Sequence, residues 1–290
     1  MLIARAALLI TFLPLQLFLL LIVALCDLAW FIRSHLITQN PGSTEPLSGL
    51  CSIIILNWNG KELLAESIPK VLRAAEFDGK PHQVLVVDNG STDGSVEWLR
   101  SNYPEVEILA LERNLGFGEG NNQGVQAALH DAVVLLNNDM LVAEDFLPPL
   151  LEGLSDPSVF AVASQVFFPE DKRREETGNT RGRLKWGYLH LSHEEVQPFH
   201  SIRKVLPVLW AGGGSSAFRR DRFLELGGFC DLFSPCYLED TDLSYRAWRR
   251  GWKVLFAAES KVVHKHRASS SVRFDPSQLE SLIERRKLWY

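Results

Sequence analysis

The sequence predicts an α/β fold built on a mostly parallel sheet flanked by helices. Three continuous apolar runs carry this expectation: Cys51-Ser52-Ile53-Ile54-Ile55-Leu56, Val84-Leu85-Val86-Val87 and Ala132-Val133-Val134-Leu135-Leu136. Unbroken runs of β-branched residues and leucine are what strands buried on both faces look like. Stretches with apolar residues at helical spacing lie between them, and that alternation marks a parallel sheet with right-handed crossovers. A third observation points to function. Each run is followed at once by a polar cluster: Asn57-Trp58-Asn59-Gly60, Asp88-Asn89-Gly90-Ser91-Thr92-Asp93 and Asn137-Asn138-Asp139. Ligands of such sheets bind beyond the carboxyl ends of the strands. The clusters are therefore expected to converge on one edge and to form an anionic, metal-assisted ligand site.

The first element differs from the rest. Residues 6–26 contain no charge, and about 20 apolar residues are what a membrane-spanning helix needs. Arg5 precedes the run and Asp27 ends it. The long core and the lack of an A-x-A site argue against a signal peptide. Leu25 is too large for the position before the cysteine of a lipoprotein box. An uncleaved membrane anchor over residues 1–33 is expected. Pro14 and Gln16 keep a re-entrant or interfacial helix open. Trp30 and Phe31 fall where an interfacial aromatic belt would lie, while Arg5 and Arg33 balance, so charge does not set orientation. Residues 34–49 read as a linker, with Asn40-Pro41-Gly42 and Glu45-Pro46 as breakers.

The main domain is expected over residues 50–270. After the first strand, Leu63, Leu64, Ile68, Val71 and Leu72 place a helix over 62–75, broken by Gly79-Lys80-Pro81. A strand over 83–87 leads to a helix over 95–102, with Asp93 or Ser91 as its N-cap. Then come a strand at 106–111, a glycine-rich turn at 113–120, a helix at 121–130 and a strand at 132–136. A helix at 144–154 and a strand at 159–163 follow. The pattern dissolves over 167–206, where Lys172-Arg173-Arg174-Glu175-Glu176 reads as a solvated loop; long irregular stretches are usually functional or mobile. Order returns at Val208-Leu209-Trp210, followed by a helix at 220–226. An amphipathic helix opens near Glu239 and runs to about Arg250. A strand at 252–257 and Val262-Val263-His264 close the domain. Residues 271–290 form a C-terminal amphipathic helix, basic from 279 onward.

Composition excludes some classes. The chain has 290 residues, 22% charged, with a net charge of −5, which does not suggest a nucleic-acid footprint, since that needs a basic face. Four cysteines in this length are no disulfide scaffold. Cys230 and Cys236 are read as free thiols.

Several residues carry chemistry, each beside a plainer reading. Gly116-Phe117-Gly118-Glu119-Gly120 is not a dinucleotide fingerprint. Asn121 stands where the third glycine belongs, and the segment follows the third strand rather than the first. It is either a tight turn or a helix start whose N–H groups face a phosphate. Asn138-Asp139 is an Asx turn, or it brings a carboxylate to a hard cation. Glu239-Asp240-Thr241-Asp242 opens a helix, where capping and the dipole explain one acid. Three acids in four positions repel and raise the pKa of one, which suits a general base. His264 is a packed histidine or an imidazole that reaches a metal or a diphosphate. Gly212-Gly213-Gly214 is a flexible turn or a close backbone approach to ligand.

In order along residues 50–267, these motifs resemble an inverting family 2 glycosyltransferase of the rhamnosyltransferase-like branch. The resemblance implies the GT-A fold, a Rossmann-like sheet. Leu56-Asn57-Trp58-Asn59 resembles the family's nucleotide-contacting turn, and Asp88-Asn89-Gly90-Ser91-Thr92-Asp93 its V-D-N-x-S-x-D element. Asn114 to Asn122 resembles its N-x-G-F-x-x-G-N-N stretch, which brings Asn114, Gly118 and Asn121 to the donor. Asn137-Asn138-Asp139 matches the D-x-D position, Glu239-Asp240 the E-D motif with its base, and His264 the late histidine. The implied substrate is a dTDP-, UDP- or GDP-linked sugar, with Mg²⁺ or Mn²⁺ held by Asp139 and His264 and Asn138 beside the donor. Asp240, next to Glu239, takes a proton from the acceptor hydroxyl. Trp210, Gly212, Gly213, Gly214 and Asp242 shape the acceptor side. A glycan or polyprenyl-linked acceptor at the cytoplasmic face of the membrane, in cell-envelope polysaccharide synthesis, fits the expected anchor. Asn137 departs from the motif's first acid and implies a weaker, labile metal. It also keeps open a catalytically degenerate, membrane-tethered scaffold. Nucleotidyl transfer is disfavoured, because Asn57-Trp58-Asn59-Gly60-Lys61 is no glycine-rich basic loop.

Overall fold

The structure, a computed structural model, describes residues 13–26, 28–29, 46–169, 176–185, 188–197 and 205–265. The chain divides into two compact units, residues 1–41 and 42–290. In the first, residues 13–26 are helical. Leu17, Phe18, Leu20 and Leu21 are each more than half exposed. Among the described residues no helix is long and apolar enough to cross a membrane. The expected spanning helix is thus not shown. Its flanks with Arg5, Trp30 and Arg33, most of the linker, the 170–175 charge run and the C-terminal helix lie outside the described residues.

The second unit is built on a nine-stranded sheet ordered β3-β2-β1-β4-β10-β6-β11-β5, with β9 also pairing β11. Strands β1 (Cys51–Asn57), β2 (Gln83–Asp88), β3 (Glu107–Ala110) and β4 (Ala132–Asn137) are parallel. They arise where the apolar runs predicted them. Helices α1 (Lys61–Phe77) and α2 (Ser95–Asn102) connect them. One carboxylate fixes both helix starts: Asp93 Oδ2 accepts from Lys61 N–H at 2.9 Å and Oδ1 from Ser95 N–H at 3.0 Å. That satisfies two otherwise orphaned donors.

Helix α3 (Phe117–Ala127) starts four residues before its expected position. Its contact face holds Gly120 and Gly124. A Cβ there would lie 2.7 Å from Leu56 Cδ1 and 2.6 Å from Ile54 Cγ2, so the helix lies flat against the sheet. The helix start therefore moves toward the sheet edge and carries Asn121 inside it.

The second half departs further from the sequence reading. After β5 (Met140–Val142), α4 (Leu147–Leu154) and β6 (Val159–Phe167), the 167–206 stretch contains a two-stranded hairpin. It pairs β7 (Thr180–Lys185) with β8 (Tyr188–His193). The expected irregular stretch is corrected to that extent. Strand β9 (Val205–Pro207) follows, and β10 (Ser215–Arg219) inserts antiparallel between β4 and β6. Strand β10 ends in a buried arginine, Arg219, whose Nη2 donates to Leu154 O at 3.0 Å. Helix α5 (Arg220–Glu225) carries a second, Arg222, donating to Val159 O with its guanidinium 4.7 Å from the Trp252 ring centre. These contacts satisfy donors that burial would otherwise strand. After α6 (Glu239–Arg249), the two expected late strands are one, β11 (Lys253–His264), with its register against β6 shifting between Ala257 and Lys261.

The sheet separates two apolar layers. Leu64, Ile68, Leu99, Leu147 and Leu150 cover one face. Val125, Phe223, Leu243 and Ala247 cover the other. All four cysteines are free.

Candidate active site

The carboxyl ends of β1, β2 and β4 do converge. Asn57 at the end of β1 is fully buried and sits at the middle of a polar row. Its Nδ2 donates to Asp88 Oδ2 at 3.1 Å, and its Oδ1 accepts from Asn138 Nδ2 at 2.8 Å. Asp88 Oδ1 accepts from Ser91 N–H at 2.9 Å. One row of side chains thus ties three strand ends together. Next to it, Asn89 Nδ2 donates to Gly116 O at 3.0 Å and its Oδ1 accepts from Leu115 N–H at 2.9 Å. Asn114 Oδ1 accepts from Gly116 N–H at 2.8 Å. These bonds fix the turn that starts α3.

Above this edge lies a cleft of about 500 Å³. Most of the residues predicted for the site line it: Leu56, Trp58, Asn89, Asn114, Asn138, Asp139, Trp210, Gly212, Gly213, Gly214, Glu239, Asp240 and His264. Six do not. Asn57 and Asp88 lie beneath it, in the buried row. Asn59 is an exposed turn residue at φ 48°, its Oδ1 taken by Thr92 N–H. Gly118 packs toward Phe229 Cβ. Asn121 is fully buried, its Nδ2 on Phe117 O at 3.0 Å. Asp242 pairs with Arg246 at 2.7 Å, one turn along α6.

Asp139, in the turn after β4, meets His264 at the end of β11, with Nε2 3.4 Å from Oδ2. His264 Nδ1 lies 3.3 Å from Glu176 Oε2. Burial alone would lower the imidazole pKa. The two carboxylates overcome this and raise it to about 9. Among the described residues no group of three or more acids, histidines or cysteines gathers where a cation could sit, because Glu176 and Asp139 lie on opposite edges of the same ring. Asp139 Oδ1 is buried without a hydrogen-bond partner. Among the described residues no lysine or arginine lines the cleft, whereas Asp139, Glu176, Glu239 and Asp240 do. Among the described lining residues the one cationic group an anion such as a diphosphate would meet is the His264 imidazole, which is already set between two carboxylates. A hard cation taking Asp139, His264 and ligand oxygens fits this donor set, since Mg²⁺ uses only one or two carboxylates beside phosphate.

Asp240, in the first turn of α6, lines the same cleft. Its Oδ1 accepts from Thr241 N–H at 2.7 Å. A Cβ on Gly212 would come 3.8 Å from its Oδ2. Burial pushes its carboxyl up to about 6, against the opposing Thr241 and Gly213 N–H groups and with a contribution from Glu176. The residues just before this turn, Tyr237 and Leu238, are left-handed at φ 80° and 69°. Such non-glycine strain clusters at functional sites.

Sequence reasoning missed Phe117, Glu176, Thr180, His193 and Tyr237, all on the cleft wall. Glu176 stood in a charge run read as solvent-facing. Thr180 and His193 sit in a hairpin without a clear alternating signal.

The model of the family described as Glycosyl transferase family 2 matches residues 52–223. The chain is 27% identical over 227 residues to an N-acetylglucosaminyl-diphospho-decaprenol L-rhamnosyltransferase of Mycobacterium tuberculosis, covering 69% of this chain and 71% of that protein. It is 25% identical over 219 residues to the O-antigen chain rhamnosyltransferase RfbN of Salmonella typhimurium, covering 74% and 66%. Among solved structures it is similar to GalNAc-T7 with UDP, GalNAc and Mn²⁺. That match has a TM-score of 0.60 at 20% identity and covers 77% of this chain and 44% of that one.

Proposed function

The chain belongs to glycosyl transferase family 2, with the GT-A-like α/β fold, and on that premise we propose that it moves a sugar from a nucleoside-diphosphate donor to an acceptor hydroxyl with inversion. The observation that carries the reading is the set of groups gathered in one cleft. One cleft is lined both by a carboxylate with a raised pKa, Asp240, and by the Asp139–His264 pair.

Each residue has a role that follows from its place. Trp58, Asn89 and Asn114 flank the nucleotide. Asp139 and His264 would hold Mg²⁺ or Mn²⁺, which when bound neutralises charge on a departing diphosphate. Asp240 accepts the acceptor's proton as its oxygen attacks the anomeric carbon. One base opposite one leaving group gives inversion. Gly212 to Gly214 leave room for the acceptor beside Asp240.

The rhamnosyltransferase relatives favour a deoxysugar donor such as dTDP-rhamnose, and the decaprenol-linked substrate named for one of them favours a lipid-linked acceptor. Membrane association at the cytoplasmic face is part of this reading, and the apolar, exposed helix at 13–26 supports it. A second reading, a degenerate tethered scaffold, is favoured by Asn137 and by the lack of a three-ligand cluster among the described residues.

Calorimetric titration of UDP, dTDP, GDP and CMP with and without Mn²⁺ tests the proposal. Metal-dependent binding of one diphosphate that Asp139→Ala removes supports it. No binding with metal present favours the scaffold. The anomeric configuration of the product, read by NMR, tests inversion.

A further inference from the structure

The β7–β8 hairpin forms one wall of the cleft but has no part in the chemistry above. At its base His193 pairs with Thr180. Thr180 Oγ1 donates to Trp210 O at 2.7 Å and accepts from Trp210 N–H at 2.9 Å. These two bonds stitch the hairpin to the segment leading into the glycine run. The Trp210 ring meets the His193 ring edge to face, with centroids 5.2 Å apart at 75°. Thr177 N–H donates to His193 Nδ1 at 3.3 Å. The imidazole is therefore held against the Trp210 ring and at one nitrogen.

That nitrogen contact decides the chemistry of the other. With Nδ1 accepting, a neutral ring carries its proton on Nε2. Burial lowers the His193 pKa, which keeps the ring neutral despite Glu176 nearby. His193, which lines the cleft, thus carries a fixed, uncharged Nε2–H donor.

The charge of the cleft narrows what that donor meets. Among its described lining residues are four carboxylates and no lysine or arginine. An acceptor whose nucleophile is a phosphate oxygen brings its own negative charge against these acids. It also needs no base. An acceptor hydroxyl needs the base that Asp240 provides and suits a neutral donor that fixes orientation.

We propose that His193 is an acceptor-specificity residue, its Nε2–H donating to an oxygen of a neutral saccharide that ends the acceptor, and that the cleft selects such a sugar over a lipid phosphate. This rests on the glycosyl-transfer reading. In the step it serves, the saccharide O–H oxygen forms the new bond to the anomeric carbon. The bond from that carbon to the diphosphate oxygen breaks, its electron pair leaves with the diphosphate, and the proton goes to Asp240. Trp210, Thr177 and Thr180 are positioning residues for the imidazole.

The test uses the full chain with the donor that the nucleotide titration selects. Its acceptor probes are octyl glycosides of glucose, N-acetylglucosamine, galactose and rhamnose, set against farnesyl phosphate. Transfer to at least one glycoside and none to farnesyl phosphate is expected. His193→Ala should raise KM for that glycoside about tenfold, the loss of one hydrogen bond, while kcat falls much less. His193→Gln, which keeps an N–H donor, should recover part of the KM. Transfer to farnesyl phosphate, transfer to no glycoside while donor is hydrolysed, or an unchanged KM in His193→Ala overturns the proposal. A loss in His193→Gln equal to that in His193→Ala, or a fall in kcat alone, also overturns it. A wild-type chain that neither binds a nucleoside diphosphate nor hydrolyses donor overturns the glycosyl-transfer reading first, and this subsite with it.

Discussion

His264 Nε2 lies 3.4 Å from Asp139 Oδ2, which joins the last residue of β11 to the turn after β4. The two residues come from distant parts of the chain, and strand pairing brings them together: His264 stands opposite Met140 of β5, and Lys265 N–H donates to Asp139 O at 3.0 Å. Their meeting point faces the cleft and leaves Asp139 Oδ1 without a hydrogen bond. Asp139→Ala should therefore weaken Mn²⁺-dependent binding of nucleoside diphosphate at least about 100-fold, since even partners behind a metal's ligands cost 10–100-fold. Calorimetry with and without metal reads this. Binding measured without metal should be unchanged by the substitution.

Asp240 gives a prediction of opposite signs for activity and stability. Its carboxyl is raised from an ordinary value near 3.8 to about 6, chiefly by burial. Transfer should fall as pH drops through about 6, as the base becomes protonated. The same shift means that the folded protein holds this proton more tightly than the unfolded chain. Above pH 6 the ionised carboxylate is thus a cost to folding, and the cost fades as pH falls from about 6 toward 3.8. Asp240→Asn should cut kcat by roughly 10²–10⁴. It should also raise Tm at pH 7.5, by an amount worth about 1–3 kcal/mol, and this gain should shrink at pH 5. Melting curves at the two pH values check the sign.

The buried row beneath the cleft is structural. Asn57→Ala removes the partner of both Asp88 Oδ2 and Asn138 Nδ2. Stranding buried polar groups costs about 1–3 kcal/mol each. Urea unfolding should show a lower midpoint with an unchanged slope. Donor binding should weaken as well, because Asn138 lines the cleft and loses its anchor.

Two glycines of the same backbone class separate strain from collision. Gly178 has φ +82°, and a Cβ there would sit 1.9 Å from Ser164 O. Gly79 has φ +69° with open space around it. Gly79→Ala should cost about 1–2 kcal/mol, the price of a left-handed residue alone. Gly178→Ala should cost distinctly more and should loosen the hairpin. Its amides near Thr180 should then exchange faster with deuterium than in the Gly79 variant.

The parallel half of the fold was legible because its strands are buried on both faces. Ile53-Ile54-Ile55 and Val133-Val134-Leu135 cannot be mistaken for surface. Strand β10 was not legible. All five of its residues are buried, yet three are Ser215, Ser216 and Arg219, types that read as exposed. Their burial depends on acceptors such as Leu154 O that only the folded chain brings near. The site divides the same way. Asp139, Asp240 and His264 sit beside strong strand or helix signals and line the cleft as expected. Asn59, Asn121 and Asp242 share those motifs but serve turns, a helix interior and an ion pair. A motif places a residue near the edge of the sheet, and only packing decides which way its side chain faces. Membrane spanning was read from an uncharged run, and the helix formed by its described part is too short to cross.

Strand β10 also bears on the order in which the chain assembles. It is the wedge between β4 and β6, and the Ser164–Ser215 contact that seats it closes a loop of 51 residues. During synthesis β4 and β6 emerge together but cannot pair, because each must wait for β10. Until then both present open edges, and unpaired apolar strand edges are templates for association between chains. Distant pairing of this kind folds slowly. A nascent chain stopped between residues 170 and 214 should thus be the species most in need of a chaperone. The two arginines then lock the wedge, and β11, the last strand made, covers the remaining edges of β6 and β5.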